Sequence, residues 1–268
     1  MDVVRLGPLI IPLSAVLTVL AILAATTVAD WMRRRRGADA GTVLWKMIVA
    51  GALAARAVFV LKHHDIYLEA PWTALDIRDG GFALPAGLLV ACVVGAELTR
   101  RRAELRRPLL ASVLAGAALW IGGLLAAGAL APPQPPLPDL MVRRLDGGEV
   151  ALRSLAGRPL VVNLWATWCP PCRREMPAMQ AAQQANPDIA FVFVNQGESS
   201  AIVRRFLATQ QLRLQNVVID PAGQLAARTG AAGYPTTLFY DANGKLQLRH
   251  VGELSAATLR EKLSTLRP

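Results

Sequence analysis

Long stretches without charged residues dominate the first half of the chain and limit what it can fold into. Residues 9–29 contain no charged side chain, and a helix of about twenty apolar residues is long enough to cross a bilayer. Residues 43–61, 82–98 and 109–130 are similar apolar stretches, and the stretch 43–61 is interrupted by Lys46 and Arg56. The whole chain is 53% hydrophobic, which is high for an ordinary soluble protein. We therefore predict an all-α membrane domain of four transmembrane helices within residues 1–131.

The charges between these stretches predict how the helices are oriented. Residues 33–36 are four consecutive arginines, and residues 100–107 are also strongly basic. The segment between the second and third stretches, residues 63–81, is mainly acidic. Because positive loops remain in the cytoplasm, both arginine segments are expected there and both chain termini outside. The net charge of +10 is explained by this topology, so we predict no nucleic-acid partner.

Three short segments of the first half carry a family resemblance. Residues 7–9 (GPL), 51–56 (GALAAR) and 76–82 (DIRDGGF) resemble the N-terminal part of prolipoprotein diacylglyceryl transferase. That family has a His-Gly-Gly shortly after the paired glycines, whereas residues 85–87 here read Pro-Ala-Gly. The resemblance therefore implies a degenerate membrane domain without transferase activity.

We make specific predictions for three side chains of this half, Arg56, Arg78 and Cys92. Arg56 and Arg78 could still contact lipid head groups, since an arginine in a span needs a polar partner. Cys92 has no cysteine partner in the predicted spans, and we expect it to be a small side chain packed among helices.

A proline-rich segment separates the two halves. Residues 132–138 read PPQPPLP, which cannot form a helix and favours an extended polyproline spacer. From residue 139 to residue 268 the composition becomes that of a soluble domain, with strand and helix patterns in the order β-α-β-α, then a β-hairpin and a final helix. This order predicts an α/β domain with a mixed sheet.

Two cysteines follow the most apolar strand of this domain. Residues 160–165 have the composition of a buried strand, and Cys169-Pro170-Pro171-Cys172 comes directly before a helical pattern. The free N–H groups and positive dipole end of a helix N-terminus stabilise a thiolate. A zinc site normally needs four ligands, and the domain offers no third cysteine and a single histidine, His250. We therefore predict a redox-active disulfide, with no metal and no cofactor.

Several segments of this domain resemble one family together. Residues 152–159 (LRSLAGRP) and 163–177 (NLWATWCPPCRREMP) resemble the TlpA/ResA branch of membrane-anchored, thioredoxin-like thiol-disulfide oxidoreductases. Residues 233–237 (GYPTT) are similar to the segment that holds the cis-proline of thioredoxin folds. The resemblance covers about residues 138–268 and implies a thioredoxin-like fold.

The cysteine roles follow from the motif and this resemblance. Cys169 is expected to be the exposed attacking thiol, and Cys172 the more buried resolving thiol. Glu198 matches an acidic residue that lies near the cysteines in the family, and it could shuttle the proton of Cys172. The alternative is that Glu198 is a solvated carboxylate at a helix start. Glu175, one turn after Cys172, is expected to be a surface charge.

Four further residues are expected to bind the substrate. Pro235 resembles the cis-proline that faces the cysteine pair, so that the backbone of Tyr234 can pair with an extended substrate segment. Thr236 follows it in the same loop. Trp168 is expected to cover the disulfide, with a purely packing role as the alternative.

Together these residues predict a thiol-disulfide oxidoreductase in a bacterial inner membrane, with its thioredoxin-like domain in the periplasm. The family resemblance favours reduction of disulfides in periplasmic partner proteins, for example in cytochrome c maturation. A separate membrane electron donor of thiol type is then expected, because the chain has no second cysteine pair. The alternatives are an oxidase or isomerase of exported proteins, a lipid-handling transferase with an accessory domain, or a non-catalytic adaptor.

Overall fold

The chain forms two compact units in a computed structural model. The structure describes residues 3–6, 9–69, 71–77, 80–130, 135–155 and 157–266. The first unit comprises residues 1–132 and the second residues 133–268.

The first unit is helical apart from a short N-terminal hairpin. Its helices are α1 (Leu13–Arg36), α2 (Gly41–Lys62), α3 (His64–Glu69), α4 (Leu84–Thr99) and α5 (Ala103–Leu130), with a 3₁₀ turn at Pro71–Leu75. The hairpin pairs β1 (Val3–Leu6) with β2 (Leu9–Pro12). The first predicted span therefore begins at Leu13 rather than at Leu9, because the residues before Leu13 are in β2.

Helices α1, α2 and α5 are long and apolar enough to cross a membrane. Helix α4, which contains the third predicted span, has 16 residues and is shorter than the roughly 20 that a typical bilayer requires. Helix α1 packs against α5, and α2 packs against α4. The second pair approaches closely at two glycines: a Cβ atom on Gly87 would lie 2.7 Å from the carbonyl oxygen of Gly51. Small residues are what such close packing of membrane helices requires.

Arg56 of α2 binds backbone carbonyl oxygens of a distant segment. Its Nε donates to the carbonyl oxygen of Ala74, Nη1 to that of Gly81, and Nη2 to those of Thr73 and Asp76, at 2.8–3.2 Å. The guanidinium thus joins α2 to the segment before α4, and the expectation that Arg56 contacts lipid head groups stays a prediction.

The sequence also led to predictions for Arg78 and Cys92 of this unit. Arg78 lies outside the described residues. Cys92 is exposed on α4, so the expectation that it packs among the helices is wrong. An exposed position on an apolar helix is compatible with a lipid-facing side chain.

The second unit is a mixed sheet with helices on both faces. Its strands are β3 (Met141–Arg144), β4 (Glu149–Ala151), β5 (Leu160–Trp165), β6 (Ala190–Gln196), β7 (Val217–Asp220), β8 (Thr236–Tyr240) and β9 (Leu246–Val251). Its helices are α6 (Pro170–Ala185), α7 (Ser200–Thr209), α8 (Gln224–Thr229) and α9 (Ala256–Ser264). The strand order is β4-β3-β7-β6-β5-β8-β9.

Strand β5 is an interior strand of this sheet, between β6 and β8, and the cysteine motif follows its end. It pairs in parallel with β6 and antiparallel with β8, and all six of its residues are buried. Two apolar clusters cover the two faces of the sheet, which explains the continuous apolar run of residues 160–165. The predicted α/β fold with a mixed sheet is confirmed.

The end of the predicted spacer belongs to the second unit. Leu137 is buried in one of the sheet's apolar clusters, and its N–H donates to the carbonyl oxygen of Gly244 at 2.9 Å. Residues 132–134 of the spacer lie outside the described residues. Because Leu137 is anchored to the β8–β9 turn, the spacer of residues 132–138 overlaps the folded unit at its C-terminal end.

Candidate active site

The two cysteines lie at the junction between β5 and α6. Cys169 is the N-cap residue of α6, and its Sγ accepts a hydrogen bond from the N–H of Cys172 at 3.3 Å. Pro170 and Pro171 occupy the first helical positions, where a proline has no N–H to leave unsatisfied. The cysteines form a disulfide with a Cα–Cα distance of 5.3 Å. Helix α6 then continues through Pro177 to Ala185.

Both cysteines are buried in this oxidised form. Cys169 is 3% exposed and Cys172 is 0% exposed. The expectation of an exposed Cys169 is therefore wrong for the disulfide, although Cys172 is the more buried of the two as expected. The reason is that Cys169 belongs to the same apolar cluster as Trp165 and Met176.

Trp168 and Tyr234 form an aromatic pair beside the disulfide. Trp168, directly before Cys169, is 65% exposed, and its ring centroid lies 6.1 Å from that of Tyr234 in an edge-on arrangement. The Tyr234–Pro235 peptide bond is cis, as the family resemblance implied. The aromatic contact therefore brings the cis-proline loop to the cysteine motif, although the two segments are far apart in sequence.

Thr236 does not offer its side chain to a substrate. It is fully buried at the start of β8, and its hydroxyl donates to the carbonyl oxygen of Gly233 at 2.6 Å. The prediction of a substrate contact from this side chain is corrected, because β8 pairs with β5 at this point and encloses it. Thr236 instead holds the loop that contains Pro235.

Glu198 holds the turn that precedes Cys169. One carboxylate oxygen accepts from the N–H of Thr167 and from Nδ2 of Asn195, both at 2.7 Å, and the other accepts from the hydroxyl of Thr167 at 2.5 Å. In the part of the chain that the structure describes, no hydrogen bond joins Glu198 to Cys172. The carboxylate thus links the end of β6 to the end of β5.

Glu175 was expected to be a surface charge, and this prediction is wrong. It is 1% exposed rather than a surface charge, because it lies on the face of α6 that packs against the sheet. Its carboxyl accepts from Nδ2 of Asn163 at 2.8 Å and from the N–H of Leu254 at 3.0 Å. Burial raises the pKa of Glu175 to about 8, against the opposing effect of these two donors.

A signal for this position was present in the sequence. Glu175 comes three residues after Cys172, and residues three apart on a helix share a face. Since Cys172 was expected to be buried, the carboxyl next to it on the same face should have been expected inside as well.

The central sheet, the dithiol at a helix N-terminus and the adjacent cis-proline together define a thioredoxin-like redox protein. Comparison with known proteins agrees. Residues 133–249 match the family model described as AhpC/TSA family. Thioredoxin-like protein YneN from Bacillus subtilis is 35% identical over 130 residues, which are 47% of this chain and 75% of that protein. Thiol-disulfide oxidoreductase ResA from Geobacillus thermodenitrificans is 31% identical over 133 residues, 49% of this chain and 76% of that protein.

The chain belongs to the family of thioredoxin-like thiol-disulfide oxidoreductases that includes these two relatives, and it is an enzyme of that class. Among solved structures, a thiol:disulfide interchange protein of the thioredoxin family from Chlorobium tepidum is 29% identical, with a TM-score of 0.45, and covers 51% of this chain and 97% of its own.

The helical unit has a separate match. Residues 2–127 match the family model described as Prolipoprotein diacylglyceryl transferase, which confirms the resemblance seen in residues 7–82. With its long apolar helices, this unit is a helical membrane domain fused to the redox domain.

Proposed function

We propose that this chain reduces disulfides of partner proteins on the outer side of a bacterial inner membrane. In this arrangement the second unit, approximately residues 139–268, is the catalytic domain in the periplasm, and the helical unit is a multi-pass anchor. The observation that carries the proposal is the Cys169–Cys172 disulfide at the N-terminus of α6, next to the exposed Trp168. Its dithiol form supplies two electrons per turnover.

The reaction proceeds through a mixed disulfide. The Cys169 thiolate attacks one sulfur of the partner's disulfide, so that a new S–S bond forms and the partner's other sulfur leaves as a thiolate. The Cys172 thiolate then attacks Sγ of Cys169 and displaces the partner's second sulfur. The partner receives two electrons and, with two protons, becomes a dithiol, while the chain is left with the disulfide seen in the structure. The N–H of Cys172, which donates to Sγ of Cys169, and the positive dipole end of α6 favour the thiolate of Cys169.

Glu175 exchanges a proton with Cys172 during this step. The two residues share one face of α6, and both are buried. Because burial raises the pKa of Glu175 to about 8, its carboxyl holds a proton near neutral pH and can release one or take one up there.

Glu198, predicted as a catalytic residue, acts by positioning. Its carboxylate binds both the N–H and the hydroxyl of Thr167, one residue before Trp168. Glu198→Gln replaces one acceptor oxygen by a donor and is expected to loosen this turn. Altered Trp168 fluorescence together with slower alkylation of reduced Cys169 would support this role, and unchanged values for both would exclude it.

The partner's extended segment binds across Trp168, Tyr234 and Pro235. Trp168 supplies exposed apolar surface, and the backbone of Tyr234 borders the cis bond. The hydroxyl of Thr236 stabilises this loop by donating to the carbonyl oxygen of Gly233.

Electrons reach the disulfide from a separate membrane protein of thiol type. The chain contains three cysteines, and Cys92 is the single cysteine of the membrane domain's sequence, so this chain has no pair to carry electrons across the bilayer. The periplasm is oxidising, so a reductase there requires such a donor. Maturation of c-type cytochromes, which requires reduced cysteines, is the process we propose as its use.

The reduction potential of the Cys169–Cys172 pair tests the direction of the reaction. We expect a value near or below the roughly −270 mV of thioredoxin, whereas a value near −120 mV would identify an oxidase. A Cys172→Ser variant leaves Cys169 able to form a mixed disulfide that is not resolved. We expect this variant to capture periplasmic partners whose disulfides the wild-type chain reduces. If it captures no such partner, the proposal is contradicted.

The membrane domain is proposed to lack transferase activity. Pro85 stands at the position of the family's functional histidine, and it cannot act as an acid or base. A diacylglyceryl transfer assay is expected to give no product, and measurable transfer would establish the alternative function instead.

A further inference from the structure

Helix α7 lies beside the first turns of α6, close to the dithiol. The ring centroid of Phe206 on α7 lies 5.5 Å from that of Trp165, and Cζ of Arg173 lies 5.8 Å from the centroid of the same phenyl ring. The start of α7 is also joined to the turn before the cysteines, because Glu198, two residues before the helix, binds Thr167. The side of α7 that faces α6 therefore borders the place where a partner's disulfide meets the dithiol.

This side of α7 combines apolar surface with a cation. Residues three and four positions apart share a face of a helix, so Ile202, Arg205 and Phe206 lie along one side, which we call the α7 flank. Ile202 is 49% exposed, and Arg205 is exposed as well. Arg204 lies on another side of the helix, where its guanidinium donates to the carbonyl oxygen of Leu145. Arg205 is therefore the arginine of the α7 flank.

Arg173 supplies a second exposed cation from α6. Its guanidinium lies over the ring of Phe206 in a cation–π contact, which holds the charge beside the α7 flank. Among the described residues of the second unit, neither Arg173 nor Arg205 forms an ion pair. Two uncompensated positive charges therefore lie on the side of the dithiol that borders α7.

Three acidic side chains of the site do not pair with these arginines. Glu253 forms an ion pair with Arg174, with nitrogen–oxygen distances of 2.5–3.1 Å. Both carboxylate oxygens of Glu198 accept hydrogen bonds from Thr167. Glu175 is buried, and its raised pKa of about 8 keeps the carboxyl protonated near neutral pH. The charge that the α7 flank offers to a partner is therefore positive.

We propose that the α7 flank binds an acidic segment of the partner protein, next to the disulfide that Cys169 attacks. Carboxylates of that segment bind Arg173 and Arg205, whose guanidinium groups match them in charge and geometry, and its apolar side chains cover Ile202. The inference rests on the proposed reduction of partner disulfides and names the class of partner that the dithiol takes. Complementary charge speeds the encounter and orients the partner on the site.

Three synthetic peptides test this preference. Each has the same disulfide ring, flanked by residues that are all glutamate, all glutamine or all lysine. The second-order rate constant for reduction by the dithiol form of the full chain, in nonionic detergent at low salt, is measured by stopped flow. We expect the glutamate peptide to react about tenfold faster than the glutamine peptide, and the lysine peptide to be the slowest. Sodium chloride at about 1 M should remove most of this difference, because it screens exposed charges.

Removal of the two arginines should abolish the preference. In Arg173→Gln/Arg205→Gln the ratio of the glutamate to the glutamine rate constant should approach one. Because both peptides meet the same Cys169 thiolate, a change in thiol reactivity cancels in this ratio. Arg158→Gln/Arg213→Gln is the matched control, since these exposed arginines precede β5 and follow α7 at the ends remote from the dithiol. The control should keep the ratio, and an equal loss in both variants would overturn the proposal.

A single substitution on α7 completes the test. Arg205→Gln changes an exposed residue on a different helix from the cysteines, and it should lower the ratio by about threefold. Equal rate constants for the glutamate and glutamine peptides with the wild-type chain at low salt would overturn this inference and leave the proposed reductase function standing. Failure to reduce any of the three peptides would overturn that function, and this inference with it.

Discussion

Buried polar side chains are bonded differently in the two units. In the helical unit they bond to their own helix: the hydroxyl of Thr99 donates to the carbonyl oxygen of Gly95, and that of Ser112 to Pro108. These bonds satisfy a polar group but do not join one element to another. Arg56, which is half-buried, is the contrasting case, since it joins α2 to a distant loop.

In the α/β unit the buried polar side chains beside the disulfide form hydrogen bonds across elements. Asn163 of β5 donates to Glu175 of α6 and to Thr237 of β8. Glu175 also accepts from the N–H of Leu254, just before α9. Such bonds specify how strand, helix and loop are placed relative to one another, and here they converge on the helix that carries the disulfide. The difference indicates that the α/β unit, rather than the helical unit, holds reactive groups in a defined geometry.

The largest expected effect on activity comes from replacing a cysteine in each unit in turn. Cys169→Ser should lower the rate of insulin reduction by at least about 100-fold, because no thiolate remains to attack the substrate. Cys92→Ser, in the helical unit, should leave the rate unchanged. A comparable loss in Cys92→Ser would show that the membrane domain takes part in the redox reaction.

Glu175→Gln should change the pH dependence of stability. Because the folded-state pKa of about 8 is above the ordinary carboxyl value of 4.5, the folded state binds more protons between these values. The contribution of Glu175 to the stability of the oxidised wild type is therefore fully present below pH 4.5 and is lost as the pH rises through 8. We expect the thermal midpoint to fall by about 5 °C or more over this window.

The glutamine variant should lack this slope in thermal unfolding of the full chain in detergent. Glu149→Gln, at an exposed position of β4, is the matched control and should behave as the wild type does. A slope that persists in Glu175→Gln would assign it to another group.

Arg56→Gln should destabilise the helical unit alone. The shorter amide cannot reach all four carbonyl oxygens, and we expect a loss of about 1–3 kcal/mol. Titration with sodium dodecyl sulfate, followed by circular dichroism, measures this loss. Insulin reduction should be unchanged, and a parallel fall in activity would mean that the two units are energetically coupled.

The smallest effect compares one threonine from each unit. Thr237→Val removes the acceptor for Asn163 and should cost about 1 kcal/mol, because the lost bond joins two strands. Thr99→Val removes a bond within one helix and should cost less than about 0.5 kcal/mol, since such back-bonding contributes little. Thermal unfolding of both variants gives the comparison, and equal losses would remove the distinction drawn between the units.

Much of the redox site could be predicted from local sequence. The cysteines are adjacent in the chain, and the apolar run before them and the prolines between them mark the strand end and the helix start. Pro235 was found through a resemblance of five residues. Glu175 was misplaced because a charged residue on a helix is usually exposed, and its burial depends on Asn163 and Leu254, which are distant in sequence.

By itself, the sequence determined the two-part organisation of this protein, its apolar helices and the position of its dithiol, because these depend on composition and on short-range spacing. The tertiary structure alone decided the surroundings of the dithiol: the burial of Cys169 and Glu175, the contact between Trp168 and Tyr234, and the bonds from Glu198 to Thr167. These depend on which distant segments the sheet and its helices bring together, and that pairing is a property of the packed chain rather than of any local pattern.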